Sequence, residues 1–139
     1  MIKNFVWSAC FFITMLFCNC SPGLKFDAQA FQRDNAIETK ALQIVKNTSQ
    51  SYSAHAAEIE LLKNDINTAL TEERKRGKGN LPTVKMWESV QQAKGNLYDL
   101  FELWKANDKV SPAIADDIVK KIERLLGSIT ELENFKNKG

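Results

Sequence analysis

The sequence predicts an all-α protein, an antiparallel helical bundle. Three observations predict it. Beyond residue 23, apolar residues recur at alternating steps of three and four, the spacing of one helical face meeting a partner. Runs of β-branched residues bounded by hairpin turns are absent, which argues against strands. The pattern is broken only at Pro22-Gly23, at "RGKGNLP" (76–82) and at "ANDKVSP" (106–112). With 139 residues, 44% hydrophobic and 26% charged, the chain has the composition of one globular domain rather than of a disordered tail.

The N-terminal segment stands apart from this body. Cys10, Cys18 and Cys20 are the only cysteines, so the body has neither a disulfide nor a thiolate ligand and must be held by apolar packing. Lys3 opens the chain, and an apolar run from Phe5 to Cys18 follows, interrupted by Ser8 and Thr14. That run has the length of a signal-peptide core and falls short of the roughly 20 apolar residues of a spanning helix. Polar Asn19 and turn-forming Ser21-Pro22-Gly23 come next, as expected of an exposed cleavage region.

"FCNC" at 17–20 resembles the recognition box of bacterial lipoprotein precursors, which place a box of roughly Leu, small, small, Cys after a basic start and an apolar core. Phe17 stands in the aliphatic position, Cys18 and Asn19 in the two small ones, and Ser21 follows as it commonly does in the family. The resemblance implies that residues 1–19 are a signal peptide and that Cys20 is the lipidated first residue of the mature chain, with Cys18 as the rival site. It implies a membrane-anchored lipoprotein of the bacterial envelope, at the outer membrane or cell surface rather than the inner membrane. An uncleaved anchor is the plainer alternative. A Cys-x-Cys metal pair would need further ligands, and the sole histidine is His55, so no metal and no cofactor is expected. The resemblance reaches no further than about residue 23.

Residues 20–26 then read as a tether and 27–139 as the bundle. The first helical segment runs from about Asp27 to Lys75. Its stripe is Ile37, Ala41, Ile44, Thr48, Tyr52, His55, Ile59, Leu62, Ile66 and Ala69. No Gly or Pro interrupts it, although "KNTSQSYSAH" at 46–55 is polar and rich in weak helix formers. The second segment starts near Thr83, behind Pro82, and carries Val84, Trp87, Val90, Leu97, Phe101 and Trp104, with Gly95 inside it. The third opens at Ser111 as N-cap with Pro112 at the first helical position. Asp116 and Asp117 lie early, where the helix dipole favours anions. Its stripe is Ile114, Ile118, Ile122, Leu125, Ile129 and Leu132, with Phe135 beside it.

At 1.5 Å per residue the second and third segments are each about 36 Å long and the first about 70 Å. Two chain paths answer this. The favoured one is a three-helix bundle with a long first helix, whose N-terminal half is a stalk toward the lipid. The other reverses the chain near 47–53 to give a four-helix bundle. The missing turn residues favour the long helix. A stalk would expose Ile37, Leu42, Ile44 and Val45 and invite a partner helix or self-association.

Candidate chemistry is sparse. His55 reads as a seam histidine. Asp116-Asp117 and Glu72-Glu73 are adjacent pairs whose side chains point about 100° apart on a helix, so they read as solvated helix ends rather than acid/base pairs. "RKRGKG" at 74–79 reads as a solvated loop complementing a helix C-terminus, or else as a site for anionic lipid headgroups or an acidic partner. Trp87, Phe101 and Trp104 read as core. From Cys20 onward the chain carries 18 basic and 17 acidic groups, a net of +1, so neither nucleic acid nor a small-molecule substrate is indicated. The expectation is a lipid-anchored helical module, not an enzyme, that binds a protein partner: an inhibitor, an immunity or exclusion factor, an adhesin or an assembly subunit. A self-associating coiled-coil spacer is the alternative.

Overall fold

A computed structural model of the chain describes residues 25–92 and 94–138. Residues 1–19, with Cys18, and the expected lipidation site Cys20 lie outside the described residues. The described chain is helical throughout and has no strand. In order it forms α1 (Ala28–Val45), α2 (Tyr52–Lys75), a single 3-10 turn (Lys78–Asn80), α3 (Leu81–Gln92), α4 (Leu97–Asn107) and α5 (Pro112–Phe135).

α3 and α4 run one after the other along α2, in the opposite direction. Gln91 donates to the Asn67 side chain at 2.7 Å, the Tyr98 hydroxyl to the Lys63 carbonyl at 3.3 Å, and the Trp104 indole to the Gln50 carbonyl at 2.9 Å. α5 returns against that broken arm. α1 lies against α5, with the Asp27 N–H donating to Glu133 at 2.9 Å and Thr130 to Glu38 at 2.9 Å. The product is an up-down-up-down bundle of four helical arms around one core.

The favoured three-helix path with a long first helix is therefore corrected. α1 stops at Val45, residues 46–51 turn, and α2 runs back along α1. Lys40 on α1 meets Asp65 on α2 at 2.5 Å, as only an antiparallel pair allows. The turn has no Gly or Pro of its own. It is built from successive short-range bonds, Asn47 N–H to the Ile44 carbonyl (3.0 Å) and Gln50 N–H to the Asn47 carbonyl (2.8 Å). It is then clamped from afar by the Val110 N–H on the Thr48 carbonyl at 2.8 Å. The reversal buries Ile37, Ile44 and Val45 to 3% exposure or less. Each is worth about 1.5–3 kcal/mol buried rather than exposed on a stalk. Asn47, Thr48 and Ser49 are each about 0.5 kcal/mol poorer helix formers than Ala, so leaving the helix is cheap there and packing decides.

The second segment is corrected as well. It is not one helix with a tolerated glycine: α3 ends at Gln92 and α4 begins at Leu97. Gly95 takes φ +73, a left-handed conformation that glycine adopts without a Cβ penalty. The Asn96 amide folds back onto the Ser89 carbonyl at 2.6 Å, and the Asp99 carboxylate accepts the Gly95 N–H at 2.9 Å. The groups freed by the break are thus partly satisfied from within the arm.

Other expectations hold. Trp87, Phe101 and Trp104 are each fully buried, among Ile59, Leu62, Ile66, Leu97, Leu100, Ile122, Leu126 and Ile129. Ser111 and Pro112 open α5 as expected, although the Ser111 side chain makes no cap bond and its backbone carbonyl takes Ile114 and Ala115 instead. Asp27 caps α1, accepting from the N–H groups of Gln29 (2.8 Å) and Ala30 (3.2 Å). Two stripe residues of α5 are corrected: Ile114 is 54% and Phe135 71% exposed. They lie at the ends of the helix, beyond the reach of the neighbouring arms.

Candidate functional site

At the end of the bundle where α1 begins and α2 and α5 finish, charged residues take over from the apolar core. Glu73 and Glu133 have no solvent exposure, Asp34 has 1% and Lys136 7%. Arg76 bridges the two glutamates, donating to Glu133 at 2.7 and 2.9 Å and to Glu73 at 2.9 and 3.2 Å, and it also reaches the Lys25 carbonyl at 2.7 Å. Arg33 pairs with Glu73 and, at 2.9 Å, with Asp34. Lys136 pairs with Glu133 and donates to Asn80 (2.6 Å) and Thr83 (3.3 Å), while the Asn80 amide donates to Glu73. Three cations and three carboxylates thus form one network that ties α1, α2, the 3-10 turn, α3 and α5 together.

The electrostatics follow from these contacts. Burial pushes the Glu133 carboxyl up, but the hydrogen bonds from Arg76, Lys136 and the Asp27 N–H outweigh it and hold the group below the usual carboxylate range. Hydrogen bonding to Glu133 strengthens the proton affinity of Arg76 further, against the opposing effect of its burial. Asp34 goes the other way. Burial raises it to about 6, Glu73 and Glu133 add to the rise, and Arg33 offsets only part of it. Its Oδ2 atom is buried without a hydrogen-bond partner.

Glu73 and Arg76 correct two sequence expectations. Glu72 is exposed and pairs with Lys75 at 2.8 Å, as a solvated helix end should, but Glu73 is in the core. "RKRGKG" is not one loop: Arg74 pairs with Glu88 at 2.8 Å, Arg76 enters the network, and Lys78 is exposed. A signal for the network was present. Glu73 follows Ala69 by four residues, Asp34 precedes Ile37 by three, and Glu133 follows Ile129 by four, so each charged residue continues an apolar stripe in register. Asp116 and Asp117 are exposed and converge on nothing.

At the opposite end His55 sits on the seam, its ring 5.3 Å from that of Trp104 and its Nε2 3.0 Å from the Gln50 side-chain oxygen. Glu58 is 3.4 Å from its Nδ1. It is a boundary residue over an aromatic corner that Tyr52 completes edge-on to Trp104 at 5.9 Å.

On the outer surface a groove of about 330 Å³ runs between α1 and α2, lined by Lys40, Gln43, Ile44, Asn47, Glu58 and Leu61. Leu61 is 58% exposed there. Leu103 and Ile114 are exposed elsewhere, at 37% and 54%. Among the described residues no helix is long and apolar enough to cross a membrane. Comparison with protein-family models, with curated proteins and with solved structures finds no match to the chain.

Proposed function

We propose that the protein is a lipid-anchored bacterial envelope protein that works by binding another protein through the side of its helical bundle. Lipid at Cys20 holds it, residues 20–26 tether it, and the four arms present a rigid face. The observation that carries the reading is the α1–α2 groove, where Leu61 is more than half exposed on a helix whose other aliphatic residues, Ile59, Leu62, Ile66 and Leu70, are buried, beside Lys40, Gln43 and Glu58. An exposed apolar anchor ringed by polar and charged groups of both signs is the composition of a small binding patch. An inhibitor, an immunity or exclusion factor, an adhesin and an assembly subunit all share this requirement. The coiled-coil spacer has less support, because Ile37, Ile44 and Val45, the stripe that would drive self-association, are used inside the bundle.

Two measurements test it. Labelling cells with a fatty-acid analogue should mark the protein, and Cys20→Ala should abolish the mark; label lost only with Cys18→Ala would move the site. A photo-crosslinking residue at Gln43 or Leu61 should capture one protein species in native cells, while the same residue at exposed Asp117 should not. Equal capture from both positions would remove the groove from the reading.

A further inference from the structure

The end of the bundle that carries the ionic network is also the end at which the described chain begins. Only the links from Cys20 to Lys25, five residues, separate the expected lipid from the first packed backbone group, the Lys25 carbonyl held by Arg76 at 2.7 Å. Five residues span at most about 18 Å fully extended. An acyl chain at Cys20 would therefore keep this end, and not the opposite one, against the bilayer. α2 alone is 24 residues long, about 36 Å, so the far turns would stand well clear of the headgroups.

The surface of this end suits that position. Phe135 is 71% and Leu81 51% exposed, and Phe135 is the most exposed large hydrophobic residue of the described chain. They flank the network on adjacent elements, since Lys136 reaches Asn80. Lys25, Lys78 and Lys138 are exposed beside them and make no ion pair among the described residues. Most acids of this end are engaged: Glu73 and Glu133 are buried and neutralised, Asp27 caps α1 and Glu72 holds Lys75, which leaves exposed Glu131 against the three lysines. What faces outward is an aromatic and an aliphatic side chain among lysines that outnumber the free acids three to one. Apolar side chains that enter the headgroup boundary, with lysines attracted to anionic lipid, are the ingredients of an interfacial contact.

We propose that this end, presenting Phe135, Leu81, Lys25, Lys78 and Lys138, rests directly on an anionic lipid surface and fixes the bundle upright on the membrane. The inference rests on the anchor reading. It adds that the tether is not a free leash: the lipid supplies the hold and the bundle end supplies the orientation, which turns the α1–α2 groove sideways.

The test uses the full chain, processed in cells, purified in detergent and reconstituted in phosphatidylcholine vesicles containing about a quarter phosphatidylglycerol. Intact mass first reports the acyl chain. A mature chain beginning at acylated Cys20 has no other thiol, so Phe135→Cys and, as the far-end control, Ser49→Cys each give one site for an environment-sensitive fluorophore. The probe at 135 should be blue-shifted and several-fold better shielded from an aqueous quencher than the probe at 49. Pure phosphatidylcholine, or Lys25→Glu with Lys78→Glu and Lys138→Glu, should remove most of that difference with the acyl mass unchanged. Equal quenching at 135 and 49 on the anionic vesicles, in an acylated protein, overturns the orientation and leaves the anchor standing. A mass without an acyl chain overturns the anchor, and the orientation with it. Shielding found on cells but not on vesicles gives this end to a protein partner and also overturns the proposal.

Discussion

The Asp108 carboxylate accepts a hydrogen bond from the Tyr52 N–H at 3.1 Å, across 56 residues of sequence. It also takes the Ser51 hydroxyl at 2.7 Å, and the Asp108 backbone carbonyl accepts the Tyr52 N–H at 2.9 Å. Ser51, the N-cap of α2, makes no side-chain cap bond to its own helix. The cap that starts α2 is thus supplied by the α4–α5 connection, and it places a negative charge at the positive end of the helix dipole. Asp108 is the one described non-glycine residue with positive φ, at 61°, a conformation that Asp and Asn tolerate better than other residues. Asp108→Ala removes the cap and worsens the backbone fit, and should cost about 2 kcal/mol in urea unfolding. Asp108→Asn should cost less than half as much. A neutral result for Ala would mean that the 46–51 reversal holds without this clamp.

Arg76 stands between two buried carboxylates. Arg76→Ala leaves Glu73 and Glu133 with fewer partners in a dry site and should destabilise the fold by about 3–5 kcal/mol. Arg74→Ala, one pair removed on the exposed surface, should change stability by less than about 1 kcal/mol. Thermal unfolding of the two variants side by side checks the contrast, and similar losses would deny the network its role.

Asp34 predicts a pH dependence of unusual sign for a carboxylate. Its folded-state pKa is about 6 against an ordinary 3.8, so between about pH 4 and 6 the folded chain holds a proton that the unfolded chain releases. Its contribution to stability therefore falls as pH rises through that window. Glu133 acts oppositely: its pKa is lowered from 4.5, so its contribution is present above that value and lost as pH falls through the depressed folded pKa. Asp34→Asn should raise stability at pH 7 by up to about 3 kcal/mol and flatten the profile between pH 4 and 6. Chemical unfolding across pH measures both, and a destabilised Asn variant at pH 7 would show that the Arg33 pair outweighs the burial.

Two glycines should respond with opposite signs. Gly95 needs its φ of +73, so Gly95→Ala should lose about 1 kcal/mol. Gly127 is inside α5, and an added Cβ would meet only Glu38 Oε1, at 3.5 Å, an ordinary contact. Gly127→Ala should therefore gain about 0.5–1 kcal/mol. Midpoints in urea at fixed pH decide both.

Two buried tryptophans should separate. The Trp104 N–H donates to the carbonyls of Gln50 (2.9 Å) and Asp108 (3.1 Å), linking both far-end turns, whereas the Trp87 N–H is buried without a partner. Trp104→Phe loses those bonds as well as volume. Trp87→Phe loses volume but relieves an unsatisfied donor, so it should cost about 1 kcal/mol less. Equal losses by denaturant unfolding would indicate that volume alone matters.

The helical class, the bounds of α5 and the fully buried Trp87, Phe101 and Trp104 were legible in the sequence. The stripes and the Ser111-Pro112 start carry that information locally. The ionic network was half legible. Asp34, Glu73 and Glu133 continue the apolar registers, but a charge in register reads as a boundary residue until its partner is known. Arg76 and Lys136 follow Glu73 and Glu133 by three residues and are local partners, but the links of Arg76 to Glu133, Arg33 to Glu73 and Lys136 to Asn80 join separate elements, and only folding supplies them.

The amino-acid order alone determined that the body is helical, that its core is apolar and disulfide-free, and that its first residues resemble a lipoprotein signal. It did so because helix periodicity, Pro and Gly punctuation and cysteine count act over a few residues at a time. The tertiary structure decided the number of arms. The reversal at 46–51 contains no residue that demands a turn, and the clamps that hold it, Asp108 on Tyr52 and Val110 on Thr48, join positions more than fifty residues apart. Burial of Ile37, Ile44 and Val45 against the other arms then outweighs the helical bonds given up at the turn.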